Sequence, residues 1–421
     1  MTKNKGEYTK DFKTMVHVAL WNSLGFLFVE FIIIYVANQV LKVSGTQFGL
    51  VYSLLTIGGL LSSFIVGYLS DKYSKKLLVM IGSFGRGISY FSFYISIILQ
   101  SLIGLYISSF LLGVGAGIFW VPFDALISEK SNKYHRSSAF AQRRFAMGIG
   151  MIIGGIFGFL IFTLSNIFYS NNPFLIYSAF LFFGFANFYA GIQFSIKVDE
   201  NLKYSYQYDD SELNNSTENE LKQVENVHPI KMVVFGISLL FLALFLSSIN
   251  AGIAKPFIQP YILENIENNP NIVAWIYVPT SIIGTILAPK LGTLADKFNI
   301  YFSVILAGIL GSFVTFLVIT IKELWFFAIL LILDNTIALF SGLVLMNFMS
   351  RISRKHRGKI FGSLNTFEQL GFSIGPIIGG IFWDAVSQVA PFIISIIVEL
   401  ALVPFFLLGI KLVSPTIEEV V

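Results

Sequence analysis

Twelve runs of mainly apolar residues fill this chain, each about 20 residues or more, the length a helix needs to cross a bilayer. They lie at 14–37, 46–70, 77–97, 101–126, 137–163, 174–196, 231–262, 272–295, 301–320, 324–349, 358–383 and 390–411, and are called segments 1 to 12 below. Lipid offers no hydrogen-bond partner to a backbone, so a crossing chain must be helical or a closed barrel. Barrel strands alternate with period two, and these runs do not. Charged residues make up 12% of the chain, against about 25% in an ordinary soluble domain. The expected fold class is an all-α membrane protein with twelve transmembrane helices.

Lys and Arg set the expected orientation. With the N-terminus inside, basic residues gather on cytoplasmic segments: Lys3, Lys5, Lys10 and Lys13; Lys72, Lys75 and Lys76; Lys130, Lys133 and Arg136; Arg351, Arg354, Lys355, Arg357 and Lys359. The outer loops then hold only Lys42 and Lys322. Both termini are expected in the cytoplasm of a multi-pass cell-membrane protein. The basic start leads into a run long enough to span, so no cleavable signal peptide is expected. The chain has no Cys, which excludes disulfides and thiolate chemistry. Its four His show no metal-ligand spacing, and no Gly-rich loop ending Gly-Lys-Ser/Thr occurs, which argues against ATP drive.

Residues 197–229 are polar, Asn-rich and acidic, and read as a flexible cytoplasmic linker. It divides residues 1–196 from 230–421, six segments each. The halves repeat. "GYLSDK" at Gly67 recurs as "GTLADK" at Gly292, an offset of 225. The same offset brings Tyr52 onto Tyr277, Gly59 onto Gly284 and Ser23 onto Ser248. Further on, "HRSSAF" at His135 and "HRGKIF" at His356 are offset by 221. The Gly-rich segments 5 and 11 align at either offset. A duplicated six-helix unit predicts two pseudo-symmetric bundles with substrate bound between them.

Over nearly its whole length the chain resembles the major facilitator superfamily. The carriers are Gly67-Tyr-Leu-Ser-Asp71-Lys72-Tyr-Ser-Lys75-Lys76, which is similar to that family's loop 2–3 signature, and its partner copy with Gly292, Asp296 and Lys297. Ser74 stands where the family has Gly, and the second copy lacks the trailing basic pair. The resemblance implies a cytoplasmic latch in which Asp71 helps hold the halves together. A carboxylate can sit at the positive N-terminus of a helix, and the basic residues after Asp71 are expected to pair with Asp124. "GFSIGPIIGG" in segment 11 matches a Gly-Pro pattern that the family's drug–proton antiporters carry in segment 5, where this chain has Ala146 and Met151 instead. Gly150, Gly154 and Gly158, with Gly371, Gly375, Pro376 and Gly379, are also explained by close helix packing.

Intramembrane charges are costly and mark function by default. At 1.5 Å per residue, Asp334 lies roughly 15 Å into segment 10, near the midplane. Seven residues on, Ser341 shares its face. Asp334 is the first candidate for proton coupling, with Glu30 and Glu368 as the others. Glu368 could instead pair with Arg143 or Arg144. Arg86 and Glu399 are read as structural. Glu30 and Lys255 stand at the repeat offset of 225, seven residues after Ser23 and Ser248. Opposite charges at symmetry-related positions are placed to meet at the outer mouth, where Pro256 and Pro260 bend segment 7; the alternative is that each snorkels separately.

The expectation is a secondary active transporter of a small organic solute, working by alternating access. It leans to proton-coupled export of amphipathic or drug-like compounds. Alternatives are a proton symporter importing a sugar or other nutrient, and a transporter-like solute sensor. The expected partners are a small-molecule substrate and the bilayer, with no nucleic acid, for a monomer needing no cofactor and no metal.

Overall fold

The computed structural model describes residues 8–132, 136–204, 230–295, 299–352 and 357–413. Among them helix is the only extended regular structure, beside one isolated antiparallel bridge between Tyr8 and Ser131. Segment 1 is built from Phe12–Ser23, Phe26–Tyr35 and a π-helical stretch Val36–Val40. Segments 2 to 5 are Gly45–Lys72, Lys75–Ile98, Leu102–Glu129 and Arg136–Phe168. Segment 6 is the short turn Pro173–Ile176 and then Ala179–Lys197. Segment 7 is Ile230–Ala254, a 3-10 turn Lys255–Phe257 and Ile258–Asn265. Segments 8 to 12 are Pro270–Ala295, Ile300–Thr320, Leu324–Ile352, Arg357–Ala385 and Ala390–Val413.

Among the described residues nine helical stretches, in segments 1, 2, 4, 5, 6, 7, 9, 10 and 12, are long and apolar enough to cross a membrane by length and composition. Segments 3, 8 and 11 are helices of 24, 26 and 29 residues. The exposed faces are apolar: Phe64, Ile65, Ile88, Ile103, Phe185 and Ile196 are 54–74% exposed. Water would penalise such a surface, and lipid would not.

The chain packs as two compact units. The first takes its residues from Met1–Ser205, Lys255–Thr285 and Pro376–Gln388, the second from Tyr206–Ala254, Ile286–Gly375 and Val389–Val421. In the first, a core of Phe12, Met15, Phe119, Phe123, Leu126 and Phe194 joins segments 1, 4 and 6. In the second, Leu240, Leu244, Phe348, Met349 and Ile410 join segments 7, 10 and 12.

Glycines set how closely helices approach. In the first unit a Cβ on Gly150 would strike the carbonyl oxygen of Leu20, one on Gly154 that of Leu24, and one on Gly158 the ring of Phe28. In the second, a Cβ on Gly371 would fall 2.9 Å from the Phe245 oxygen, and one on Gly375 would strike that of Ile249. Leu20 and Leu24 correspond to Phe245 and Ile249 at the offset of 225. Gly150 therefore matches Gly371, and Gly154 matches Gly375. The packing fixes the repeat of segments 5 and 11 at 221, which their sequences leave open. Gly379 is buried on the same helix. The hydroxyls repeat too: Ser23 donates to the Ala19 carbonyl at 2.7 Å, and Ser248 to that of Leu244 at 3.0 Å.

Candidate functional site

Within the first unit, the near end is the one holding Asp11, and the far end the one holding Val40 and Gly45. Towards the far end segment 7 breaks where Pro256 and Pro260 remove two backbone donors, and the 3-10 turn Lys255–Phe257 carries the lysine out of helical register. Its Nζ lies 3.1 Å from Glu30 Oε1, so the two charges of the 225 alignment are in contact. The side chains of Glu30 and Lys255 are 40% and 58% exposed, so the pair lines an opening and is not sealed in a core. Tyr52 and Tyr277 stand within electrostatic reach of both charges, and the Tyr277 ring meets Phe31 edge-on at 5.6 Å. The tyrosines are themselves 225 apart. The sequence used them only to align the halves; the structure puts both repeat pairs in one place.

Beyond this pair the far end is tied by polar contacts. Asp384 closes segment 11 on the exposed N-terminus of segment 2. Its carboxylate accepts from Gly45 N at 2.6 Å, Thr46 N at 2.8 Å and Thr46 Oγ1 at 2.7 Å. The positive end of a helix is where a carboxylate is most stable. Burial raises the Asp384 pKa, but the hydrogen bonds from Thr46, Gly45 and Ser44 outweigh this and hold it below the ordinary carboxyl value. Ser44 and Gln47 form a capping box on the same helix end. Phe48, Phe257 and Trp383 pack as a plug, with ring centroids 4.6–6.4 Å apart. Glu264 accepts from Asn38 at 2.9 Å and from Gln388. At the repeat offset Asp384 corresponds to Thr163, which accepts from Trp275 Nε1 at 3.1 Å. The carboxylate cap therefore exists on one side of the pseudo-symmetry. Asp384 was missed in the sequence because it follows an apolar run like any surface acid; the Ser44-x-x-Gln47 capping signature was the available hint.

At the near end the expected pairing of Asp124 with the basic residues after Asp71 is corrected. Asp124 Oδ1 lies 2.7 Å from Arg143 Nε, and Lys75 instead meets Glu129 at 3.0 Å. Asp124 sits more than a helical turn deeper than Glu129 (five residues, roughly 7 Å), which places it beside segment 5 rather than the loop. Arg143 is thereby taken, and its guanidinium lies over Trp120 at 4.6 Å. Lys72 turns back onto Tyr68. Ser74, the departure from the family signature, caps segment 3 by accepting from Leu77 N at 3.2 Å. Glu200 accepts from Ser74 and, at 2.7 Å, from Lys75 N. Burial raises the Glu200 pKa, but the hydrogen bonds from Ser74, Lys75 and Lys76 more than reverse it, and it lies below the ordinary value. A buried Lys130 pairs with Asp11 at 2.6 Å and donates to the Asp199 and Leu202 carbonyls. A Cβ at Gly67 would meet no described atom within 4 Å. Asp296, Lys297, His135 and His356 lie outside the described residues, as do the side chains of Asp71 and of the repeat copy from Gly292 onward.

In the second unit Asp334 is half-buried in segment 10. Glu399 of segment 12 stands within its electrostatic reach, in room left by Gly311, where a Cβ would strike the carboxylate. The acid read as structural therefore shares a locality with the first proton-coupling candidate. An open apolar pocket of about 170 Å³ is walled by Thr336, Ile337 and Phe340 of segment 10 but not by Asp334. Glu368 is half-buried, with no ion pair among the described residues. No cluster of metal-ligating side chains occurs among them either.

The long apolar helices and the apolar exterior define a polytopic membrane protein. The pattern described as Major Facilitator Superfamily matches residues 15–207 and 240–420, and the chain belongs to that superfamily. It is a transporter, not an enzyme. Among its relatives, Multidrug resistance protein 1 of Bacillus subtilis (strain 168) is 26% identical over 355 residues, 82% of each chain. Quinolone resistance protein NorA of Staphylococcus aureus (strain MSSA476) is 24% identical over 371 residues, 86% of this chain and 87% of that protein. A bacterial homolog of the human lysosomal transporter Spinster, inward-facing and unoccupied, shares the fold with a TM-score of 0.74 at 13% identity, over 98% of this chain and 100% of that one. The nucleoside transporter NupG does so with a TM-score of 0.71 at 14% identity, over 95% and 100%.

Proposed function

We propose that this protein exports amphipathic, drug-like organic compounds across the cell membrane in exchange for protons. Twelve crossings form two six-helix halves, 1–196 and 230–421, joined by the linker 197–229, with both termini cytoplasmic and the far end outside. The halves alternate access to a central substrate site. Two relatives named for multidrug and quinolone resistance support the substrate class. The observation that carries the mechanism is the contact of Glu30 with Lys255, flanked by Tyr52 and Tyr277. Both pairs are repeat-related, as a gate on a pseudo-twofold would be. Asp384 latches that gate when closed, and the signature loop with Gly67 and Asp71 latches the near end when the gate is open. Asp334 is the proton carrier, with Glu30 and Glu368 as the other titrating candidates.

The test uses purified protein in proteoliposomes with an imposed pH gradient and a permanently charged amphipathic dye. An antiporter concentrates the dye on the acidic side, whichever way the protein is inserted. A symporter concentrates it on the alkaline side, which would replace export by uptake. Dye distribution indifferent to the gradient would remove proton coupling.

A further inference from the structure

Arg86 lies midway along segment 3 and is 0% exposed. Its Nη2 donates to the Asn22 carbonyl at 3.0 Å, Nε and Nη1 form no well-aligned hydrogen bond, and the buried, neutral Tyr90 hydroxyl stands beside the guanidinium. No ion pair neutralises it among the described residues. The guanidinium lies 4.4 Å from the Phe26 ring and 5.9 Å from that of Trp120. These two rings, half-buried and 6.4 Å apart, belong to segments 1 and 4 and cover it. Gly115 makes room for its stem: a Cβ there would fall 2.9 Å from Arg86 Cγ.

A guanidinium withdrawn from water without a carboxylate is among the most costly arrangements a protein holds. Aromatic faces return only part of that cost. The place therefore lacks an anion, and it offers one a guanidinium met only by a backbone carbonyl and a neutral phenol, beneath a pair of π faces. We propose that it is a subsite for the acid group of an amphipathic organic anion. The carboxylate enters past Phe26 and Trp120 onto Arg86, and the aromatic body of the compound stacks on the two rings. The inference rests on the transport reading and narrows its substrate class to compounds that carry an acid beside an aromatic surface. Arg86 then holds the carboxylate by an ion pair with charge-assisted hydrogen bonds, whereas a neutral amide can only accept a hydrogen bond without the ion pair.

The matched probes are 1-naphthoate and 1-naphthamide, which differ in charge and little in shape. Binding is measured by calorimetry on purified protein in nanodiscs, without a gradient. Wild type is expected to bind naphthoate at least tenfold more tightly. Arg86→Gln should erase that preference while leaving naphthamide affinity in place, and Arg86→Lys should retain part of it. Should Arg86→Gln not fold, thermal protection of the wild type decides: naphthoate must raise the melting temperature more than naphthamide does. Equal binding or equal protection in wild type overturns the subsite, as does a preference that survives Arg86→Gln. Selective naphthoate binding in protein that ignores a pH gradient leaves the subsite standing and removes the coupling reading. Gradient-driven dye transport with no naphthoate preference does the reverse.

Discussion

Glu30 and Lys255 are at 3.1 Å, yet both remain well exposed, which sets how much their contact is worth. A screened pair contributes about 1 kcal/mol or less, so neutralising either one should shift a conformational balance without threatening the fold. Glu30→Gln and Lys255→Gln are each expected to move the far end towards open by up to about fivefold, the equivalent of that energy. The charge swap Glu30→Lys with Lys255→Glu should recover closure better than either reversal alone. Distances between spin labels at the far ends of segments 1 and 7 read this directly, and unchanged populations would show that the contact does not hold the gate. Asp384 differs, because its partners are backbone groups of a helix end. Its pKa in the docked state lies below the ordinary carboxyl value. Its contribution is therefore present above that ordinary value and is lost as pH falls through the docked one. Spin labels on Lys42 and Val386 should separate in acid below about pH 4 in wild type. In Asp384→Asn they should be separated already at neutral pH, with the acid step gone. The ion pair was legible in the sequence because duplication supplied a ruler of 225 residues. Asp384 and Glu129 were not, because which acid reaches a helix end or a lysine depends on how deep a neighbouring helix sits.

The helices themselves were legible because lipid demands long apolar runs, and each of the twelve is helical. Their interruptions were only half legible. Pro256 announced the break in segment 7, whereas the break of segment 1 at Leu24 and Gly25, and its π-helical end, carry no such mark. Nor could the register of segments 5 and 11 be read from their evenly spaced glycines, since a four-residue slip brings glycine onto glycine; contact with Leu24 and Ile249 settles it. These contacts make contrasting predictions. Gly154→Ala forces a methyl into the Leu24 carbonyl, and should cost about 1–3 kcal/mol as overpacking, seen as a lower melting temperature in detergent. Gly67→Ala meets open space in this conformation and should leave stability unchanged or raise it by about 1 kcal/mol, the usual Gly-to-Ala gain in a helix. If the signature loop closes against another helix in the opposite conformation, Gly67→Ala should nevertheless slow transport. A stable Gly67→Ala protein with full turnover would remove that glycine from the near-end latch.

At the scale of the whole molecule, the membership of the superfamily and the repeat account for a transporter, and the proton carrier is where the proposal is most exposed to test. Asp334→Asn should abolish gradient-driven accumulation and leave substrate exchange partly intact, because exchange returns loaded without a proton step. Accumulation that survives in Asp334→Asn would assign coupling to Glu30 or Glu368. The sequence supplied the class of machine but not its substrate, since the proposed acid subsite needs Arg86, Phe26 and Trp120, which meet only when segments 1, 3 and 4 have packed. Alternating access requires the far end to open in every cycle. Because the chain has no Cys, Asn38→Cys with Glu264→Cys places a unique pair of thiols where two side chains now sit 2.9 Å apart. Joining them with a short bifunctional thiol reagent should stop dye transport, and cleaving a reducible linker should restore it. Full-rate transport by the cross-linked protein would contradict the account.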